Sequence, residues 1–126
     1  MSFDWKLYIT LAEELINYRT NSDLQEACLR SSISRGYYGV YCIARNFLIK
    51  KGKTIPKTDS HKFVREEYQN NPSLVEKKIA KNLKRLLGER KEADYDEEAE
   101  LDLNRARTAL LLCQETLQYL KKIGAI

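Results

Sequence analysis

The chain has 126 residues, enough for about one domain with a core that buries roughly two-thirds of the unfolded surface. Apolar residues make up 43% and charged residues 32%, a balance that excludes a disordered chain. The net charge of +4 permits an anionic partner without requiring one. No apolar run reaches the roughly 18 residues of a membrane span, and the N-terminus lacks a secretory signal. We therefore expect a cytoplasmic protein that does not contact a membrane.

Apolar residues recur with helical spacing along almost the whole chain, which predicts five helices and no strand. The first spans about residues 4–18, and after a loop at 19–23 the second spans about 23–51 with Gly52 as its stop. Pro56 marks a loop, Ser60 begins a short third helix, and Ser73 begins the fourth. The fifth begins near 94–96 and ends near 123. This pattern predicts an all-α fold, a four- to five-helix up-and-down bundle, with residues 1–126 as one domain.

Three sequence pairs have the spacing of a capping box, in which an N-cap side chain and a glutamate three residues later satisfy free N–H groups. The pairs are Asp23 with Glu26, Ser73 with Glu76, and Asp94 with Glu97. We therefore interpret the acidic run at 94–98 mainly as the start of the fifth helix, where carboxylates also favour the helix dipole.

The long second helix contains Gly36 and Gly39, although each glycine costs roughly 1 kcal/mol relative to alanine inside a helix. Their spacing puts both on one side, where the missing side chains let another helix or a ligand approach the backbone closely. Tyr37 and Tyr41 fall on or beside the apolar stripe, which predicts that they pack in the core.

Two arginines are candidates for a site. Arg35 and Tyr38 lie on a more polar stripe of the second helix, which we expect to face a cleft or a partner subunit. Arg90 extends the apolar stripe of the fourth helix, so its guanidinium should turn toward the bundle. There it would pair with Asp94 or Asp96, line a cleft, or do both.

The remaining residues argue against several classes of site. The cysteines have no CxxC spacing and fall in apolar helical patterns, typical of buried free thiols; they are Cys28, Cys42 and Cys113. We expect no metal site and no cofactor, because the chain has few metal-ligating residues and no glycine-rich phosphate loop. The lysine-rich stretch 77–85 indicates solvated helix faces and not a nucleic-acid track, since its lysines recur around the helix.

Two stretches resemble the HEPN-domain proteins, and more narrowly the small single-domain HEPN proteins left as an uncharacterised family. They are "RSSISRGYYGVYCIARNFL" at 30–48 and "RLLGERKEADYDEEAE" at 85–100. The matching elements are Ser34, Arg35, Tyr37 and Tyr38, followed by Arg90, Ala93, Asp94 and Tyr95. His61 also sits where this subgroup often has a histidine, at the start of the short third helix.

The resemblance implies a helical bundle that is commonly a homodimer and often pairs with a nucleotidyltransferase in toxin–antitoxin operons. Several HEPN proteins are metal-independent ribonucleases that use an arginine followed a few residues later by a histidine. Here Tyr95 stands at that position, and a tyrosine hydroxyl is a poor general base at neutral pH. It can still bond to a phosphate, and its ring can stack on a base.

Three functions stay open from the sequence. The first is binding of RNA or a nucleotide phosphate, which the tyrosine at position 95 favours over cleavage. The residues that would bind are Arg35, Tyr38, Arg90, Asp94 and Tyr95. The second is a ribonuclease with Arg90 and Tyr95 as its catalytic residues. The third is a dimeric scaffold. We interpret His61 as an ordinary surface or capping residue, because nothing in the sequence places it beside Arg90.

Overall fold

Five α-helices make up the fold in the computed structural model, which describes residues 2–19 and 21–126. They are α1 (Lys6–Asn17), α2 (Ser22–Lys50), α3 (Ser60–Gln69), α4 (Leu74–Tyr95) and α5 (Leu103–Lys122). Met1, and Thr20 of the predicted loop at 19–23, lie outside the described residues. The all-α helical bundle predicted from the sequence is therefore confirmed. Within the described ranges, no helix has the length and hydropathy needed to cross a bilayer.

Helix α2 is the centre of the bundle and contacts all four other helices. Its two internal glycines explain how the neighbouring helices come so close. A Cβ atom on Gly36 would lie 2.9 Å from Sγ of Cys113 on α5, and one on Gly39 would lie 2.6 Å from Cδ1 of Ile9 on α1. The prediction that the glycines permit close approach is confirmed, and the approaching groups are helices.

The short helix α3 packs mainly against α4 and also touches α2. Its Val64 and Tyr68 side chains are buried, and the Tyr68 hydroxyl donates a hydrogen bond of 2.8 Å to the carbonyl oxygen of Ala44 on α2. The chain enters α3 through Asp59, whose φ of 54° lies in the left-handed region. The contacts of Val64 and Tyr68 hold the second half of α3 against the bundle, with Tyr68 bonded to the C-terminal part of α2.

The junction between α4 and α5 differs from the prediction. Helix α4 continues through Tyr95, so Asp94 lies in its last turn and does not cap α5. Helix α5 begins only at Leu103, where the Asp102 side chain accepts a hydrogen bond of 2.9 Å from the main-chain N–H of Arg105. The predicted helix start at 94–96 and the capping box at 94 and 97 are therefore wrong.

The contacts of Arg30 of α2 explain why α4 is longer than the sequence predicts. Its guanidinium donates to four main-chain carbonyl oxygens at 2.9 to 3.2 Å, those of Glu92, Ala93, Asp96 and Ala99. These bonds satisfy carbonyls that a helix end would otherwise leave free, and the positive charge opposes the negative end of the helix dipole. One side chain thus holds the end of α4 and the following loop against α2.

The other helix ends agree with the prediction to within a few residues. Helix α2 starts slightly earlier than expected, because the Asn21 side chain accepts a hydrogen bond of 3.1 Å from the N–H of Leu24; the capping box at 23 and 26 is wrong. Ser73 precedes α4 as predicted, but its side chain makes no capping bond. Gly52 follows α2 with a φ of 93°, which agrees with its predicted role as a stop.

Two of the three cysteines are buried in the bundle, as their apolar patterns predict. Cys42 and Cys113 are buried and Cys28 is half-buried, and all three are free thiols. Burial raises the pKa of the Cys113 thiol to about 12, so this side chain acts as a small hydrophobic group in the core.

Candidate functional site

The most unusual buried side chain of α4 is Arg90, which is only 8% exposed. It lies on the inward face of the helix, as the sequence predicts. One terminal nitrogen is 3.4 Å from a carboxylate oxygen of Asp94, while the Nε atom is buried without a hydrogen-bond partner. A buried guanidinium with one long ion pair and a free Nε–H retains the capacity to bind another acceptor.

Three tyrosine rings surround this guanidinium. Its Cζ atom is 5.2 Å from the ring centre of Tyr38, 5.8 Å from that of Tyr37 and 5.9 Å from that of Tyr95. At these distances the positive charge interacts with the π faces of the rings. Tyr37 is buried, Tyr38 is half-buried and Tyr95 is 75% exposed, so the group runs from the core to the surface. We call these four residues and Asp94 the Arg90 site.

Asp94 links the site to α2. The same carboxylate oxygen that faces Arg90 accepts a hydrogen bond of 3.2 Å from the hydroxyl of Ser34. Of the two carboxylates expected as ion-pair partners, Asp94 is therefore the one that pairs with Arg90. Asp96 instead accepts from the main-chain N–H of Glu98 at 3.0 Å, inside the loop. The ion pair holds the guanidinium in a fixed orientation between α2 and α4.

His61 is also part of this region, contrary to its interpretation as an ordinary surface or capping residue. Its Nδ1 atom is 2.5 Å from the hydroxyl oxygen of Tyr37, and its ring stacks on Tyr41 with the ring centres 4.1 Å apart. It lines the same cavity as Arg90. The sequence could not show this, because residues about thirty positions apart are brought together only by the packing of α3.

That cavity lies between α3 and α4, has a volume of about 420 Å³, and is mainly basic. Its lining residues are Asp59, Ser60, His61, Lys62, Arg65, Leu87, Arg90 and Lys91. Four permanent cations against one carboxylate make it a favourable environment for an anion.

The protonation of the His61 imidazole follows from its surroundings. Burial lowers its pKa, and the positive charge of Arg90 lowers it further. Burial also raises the pKa of Tyr37 well above its usual value, so that hydroxyl keeps its proton. A neutral imidazole carries its hydrogen on one ring nitrogen only, and Nδ1 is the nitrogen that shares a hydrogen bond with the Tyr37 hydroxyl. Nε2 is the ring nitrogen that this contact leaves for a ligand in the cavity.

Arg35 is the one predicted site residue that the structure places elsewhere. Its side chain is exposed, and its guanidinium lies 5.3 Å from the ring centre of Tyr8 on α1. The π face of Tyr8 attracts the cation and directs the long side chain toward α1. The other predicted residues are brought together; they are Tyr38, Arg90, Asp94 and Tyr95.

The chemistry of the grouped residues suits a phosphate ester with an attached base. A guanidinium offers several donors to phosphate oxygens, and exposed tyrosine rings offer faces on which bases stack. Among the described residues, no three histidine, cysteine or carboxylate side chains are arranged to hold a metal ion.

Comparison with known proteins agrees with the architecture. The model of the HEPN domain family matches residues 8–123, which include both stretches that carry the resemblance and nearly all of the five helices. No curated protein and no solved structure matches the chain. Because the match covers far more than half of its length, this chain belongs to the HEPN domain family.

Proposed function

We propose that this HEPN-domain protein binds RNA, or another ligand with a phosphate ester, at the Arg90 site. The observation that carries the proposal is the guanidinium of Arg90, which lines a basic cavity of about 420 Å³ and has a single ion pair, with Asp94 at 3.4 Å. A phosphate in this cavity would place a second negative charge beside the guanidinium and accept hydrogen bonds from its terminal nitrogens.

The energetics favour such a ligand. A hydrogen bond to a charged group contributes about 1.5–3 kcal/mol. Stacking of a base on an aromatic ring adds about 1–3 kcal/mol, and the exposed ring of Tyr95 and the half-buried ring of Tyr38 are available for it. In this proposal Asp94 orients Arg90 and does not itself contact the phosphate, because the two negative charges would repel each other.

A metal-independent ribonuclease is the second candidate, because His61 lines the same cavity as Arg90. The sequence-based version of this candidate used Tyr95 in place of the family's usual histidine. The packing of α3 supplies an imidazole from a different element. Arg90 would stabilise the charge on the phosphate while His61 moves a proton during attack by the 2′-hydroxyl group.

The proposal also includes partners that the family resemblance implies, namely a second copy of the chain and a nucleotidyltransferase. A dimeric scaffold without a ligand is the competing explanation. It predicts that the wild-type protein binds no RNA and that Arg90→Ala leaves its mass in solution unchanged.

The test is an RNA-binding and cleavage assay with a chelator present. Fluorescence anisotropy of labelled single-stranded RNA measures binding, and a denaturing gel measures cleavage. We expect Arg90→Ala to weaken binding about tenfold or more, which corresponds to about 1.4 kcal/mol. The matched control is Arg107→Ala on α5, since Arg107 is exposed and belongs to no ion pair within the described part of the chain.

The outcomes separate the candidates. Binding without cleavage, weakened in Arg90→Ala and kept in Arg107→Ala, supports the binding protein. Cleavage that is lost in both Arg90→Ala and His61→Gln supports the ribonuclease. Equal binding by wild type and Arg90→Ala contradicts the proposed site. Because Arg90 is buried, Arg90→Lys serves as a second variant, and circular dichroism confirms that each variant is folded.

A further inference from the structure

Helix α4 carries a row of basic side chains that continues beyond the Arg90 site. Lys77, Lys81, Lys84 and Lys91 are separated by four, three and seven residues, which places them on one face of the helix. At a rise of 1.5 Å per residue, the row is about 21 Å long. Gly88 falls on the same face, and a Cβ atom there would meet no atom within 4 Å, so the row is unobstructed at that point.

Three of these lysines line a groove of about 600 Å³ between α3 and α4. They are Lys77, Lys81 and Lys84, and the groove also includes Arg65 of α3. The lysines of the stretch 77–85 face solvent as expected, but the expectation that they recur around the helix is wrong, because Lys77, Lys81 and Lys84 line one groove. Periodicity alone did not show that α3 forms a wall beside these lysines.

The groove leads to the cavity that contains Arg90. Arg65 lines both the groove and the cavity, so the two adjoin at this side chain. Lys91, the last lysine of the row, also lines the cavity. The basic surface is thus continuous from the N-terminal half of α4 to His61 and Arg90.

The charges of the row are not neutralised by the protein. None of the ion pairs found among residues 2–19 and 21–126 uses a lysine of the row. The acidic residue that lines the groove is Glu66, whose carboxylate lies 4.0 Å from Lys62. Lys81, Lys84 and Lys91 are exposed, while Lys77 is half-buried and donates a hydrogen bond of 3.0 Å to the carbonyl oxygen of Gln69. A row of cations without carboxylate partners attracts an extended polyanion.

We propose that the groove between α3 and α4 binds the phosphate backbone of single-stranded RNA and leads the strand to Arg90. This inference rests on the proposed function and narrows its ligand to a strand of several nucleotides, because a row about 21 Å long is more than one nucleotide can occupy. The tyrosine rings at its end favour unpaired bases, which duplex RNA does not offer for stacking.

The salt dependence of binding tests the groove directly. For single strands, the slope of log K against log salt is about −0.7 for each phosphate that the protein neutralises. We compare wild type with a variant in which glutamine replaces Lys77, Lys81 and Lys84. The probe is labelled oligouridylate of about 12 nucleotides, within the range of site sizes known for single-strand binding proteins. The potassium chloride concentration runs from about 50 to 200 mM.

The matched control removes the same amount of charge from other faces of the bundle. It carries glutamine in place of three exposed lysines, namely Lys6, Lys50 and Lys121. We expect the slope of the groove variant to be shallower by about 2, and the slope of the control to equal that of wild type. Five of the six substituted lysines are exposed, and the half-buried Lys77 is replaced by glutamine, whose side chain also carries an N–H donor, so both variants should fold.

Two results would overturn the inference. One is the same change of slope in both triple variants; the other is competition by uridine monophosphate as effective as that by the oligonucleotide. If either occurs while Arg90→Ala still weakens binding, the proposed function survives and only the assignment of the RNA strand to the groove is wrong. A wild-type protein that binds no RNA rejects both.

Discussion

At the scale of single residues, His61 occupies an environment that disfavours its charged form. Its ring is stacked on Tyr41, and its Nδ1 atom is bonded to Tyr37. Burial is the main cause of its lowered pKa, and Arg90 is the largest of the charges that add to it. The charges of Lys91, Arg45 and Arg65 act in the same direction.

The titration of His61 can be measured without ambiguity, because it is the only histidine of the chain. We expect NMR to give a pKa below 6.5 in the wild-type protein. In Arg90→Gln the pKa should rise toward 6.5, since one cation is removed while burial remains. Arg107→Gln is the control and should leave it unchanged. A wild-type pKa at or above 6.5 contradicts this description of the site.

The titration of His61 also makes the stability of the protein depend on pH. The unfolded chain binds a proton at His61 more readily than the folded chain does, because the folded-state pKa is the lower one. The free energy of unfolding should therefore fall as the pH falls from about 6.5 through the folded-state pKa. Urea unfolding of His61→Gln, which lacks this titration, should show a smaller decrease over that interval.

At the scale of the elements, the end of α4 depends on one side chain of α2. Arg30 donates to four carbonyl oxygens of α4 and the following loop. We expect Arg30→Ala to lower the free energy of unfolding by about 1.5–3 kcal/mol, the magnitude of a hydrogen bond that involves a charged group. Arg30→Lys should restore little of the lost free energy of unfolding, because an ammonium group lacks the planar arrangement of donors. Urea unfolding measures both, and a loss below about 0.5 kcal/mol, typical of surface positions, would contradict the role.

The packing of α1 on α2 gives a prediction in which one substitution has opposite effects at two sites. A Cβ atom on Gly39 would lie 2.6 Å from Cδ1 of Ile9 and 3.2 Å from the carbonyl oxygen of Trp5, whereas one on Gly88 would meet nothing within 4 Å. Gly39→Ala should destabilise the protein by about 1–3 kcal/mol through overpacking. Gly88→Ala should stabilise it by about 0.5–1 kcal/mol, because alanine is the better helix former.

Urea unfolding of the two alanine variants checks this prediction, and each variant is the control for the other. Equal changes of the same sign would mean that helix propensity, and not the contact between α1 and α2, decides the effect at Gly39.

At the scale of the whole molecule, the candidate site lies where three helices meet. Helix α2 contributes Tyr37 and Tyr38, α3 contributes His61, and α4 contributes Arg90. The groove that we assign to RNA continues from this point along α3 and α4. A single side of the bundle therefore presents both the buried arginine and the uncompensated lysines.

Much of this arrangement could be predicted from the sequence, because helical periodicity reports which face of a helix is buried. It identified the five helices, the inward position of Arg90, the core positions of Tyr37 and Tyr41, and the close approach at the glycines. It failed at the junction after Asp94, where local capping chemistry suggested a new helix. There the hydrogen bonds of Arg30 to distant carbonyls outweigh the local preference.

The sequence by itself determined the fold class and the membership of the HEPN domain family, since both follow from residue patterns within single helices and from their order. Only the tertiary structure decided which charged and aromatic groups share a site. It joined His61 to Arg90, moved Arg35 away to Tyr8, and made one groove from lysines of α4 and Arg65 of α3. The reason is physical: contacts between helices depend on how the helices are packed, and no spacing within one helix records that.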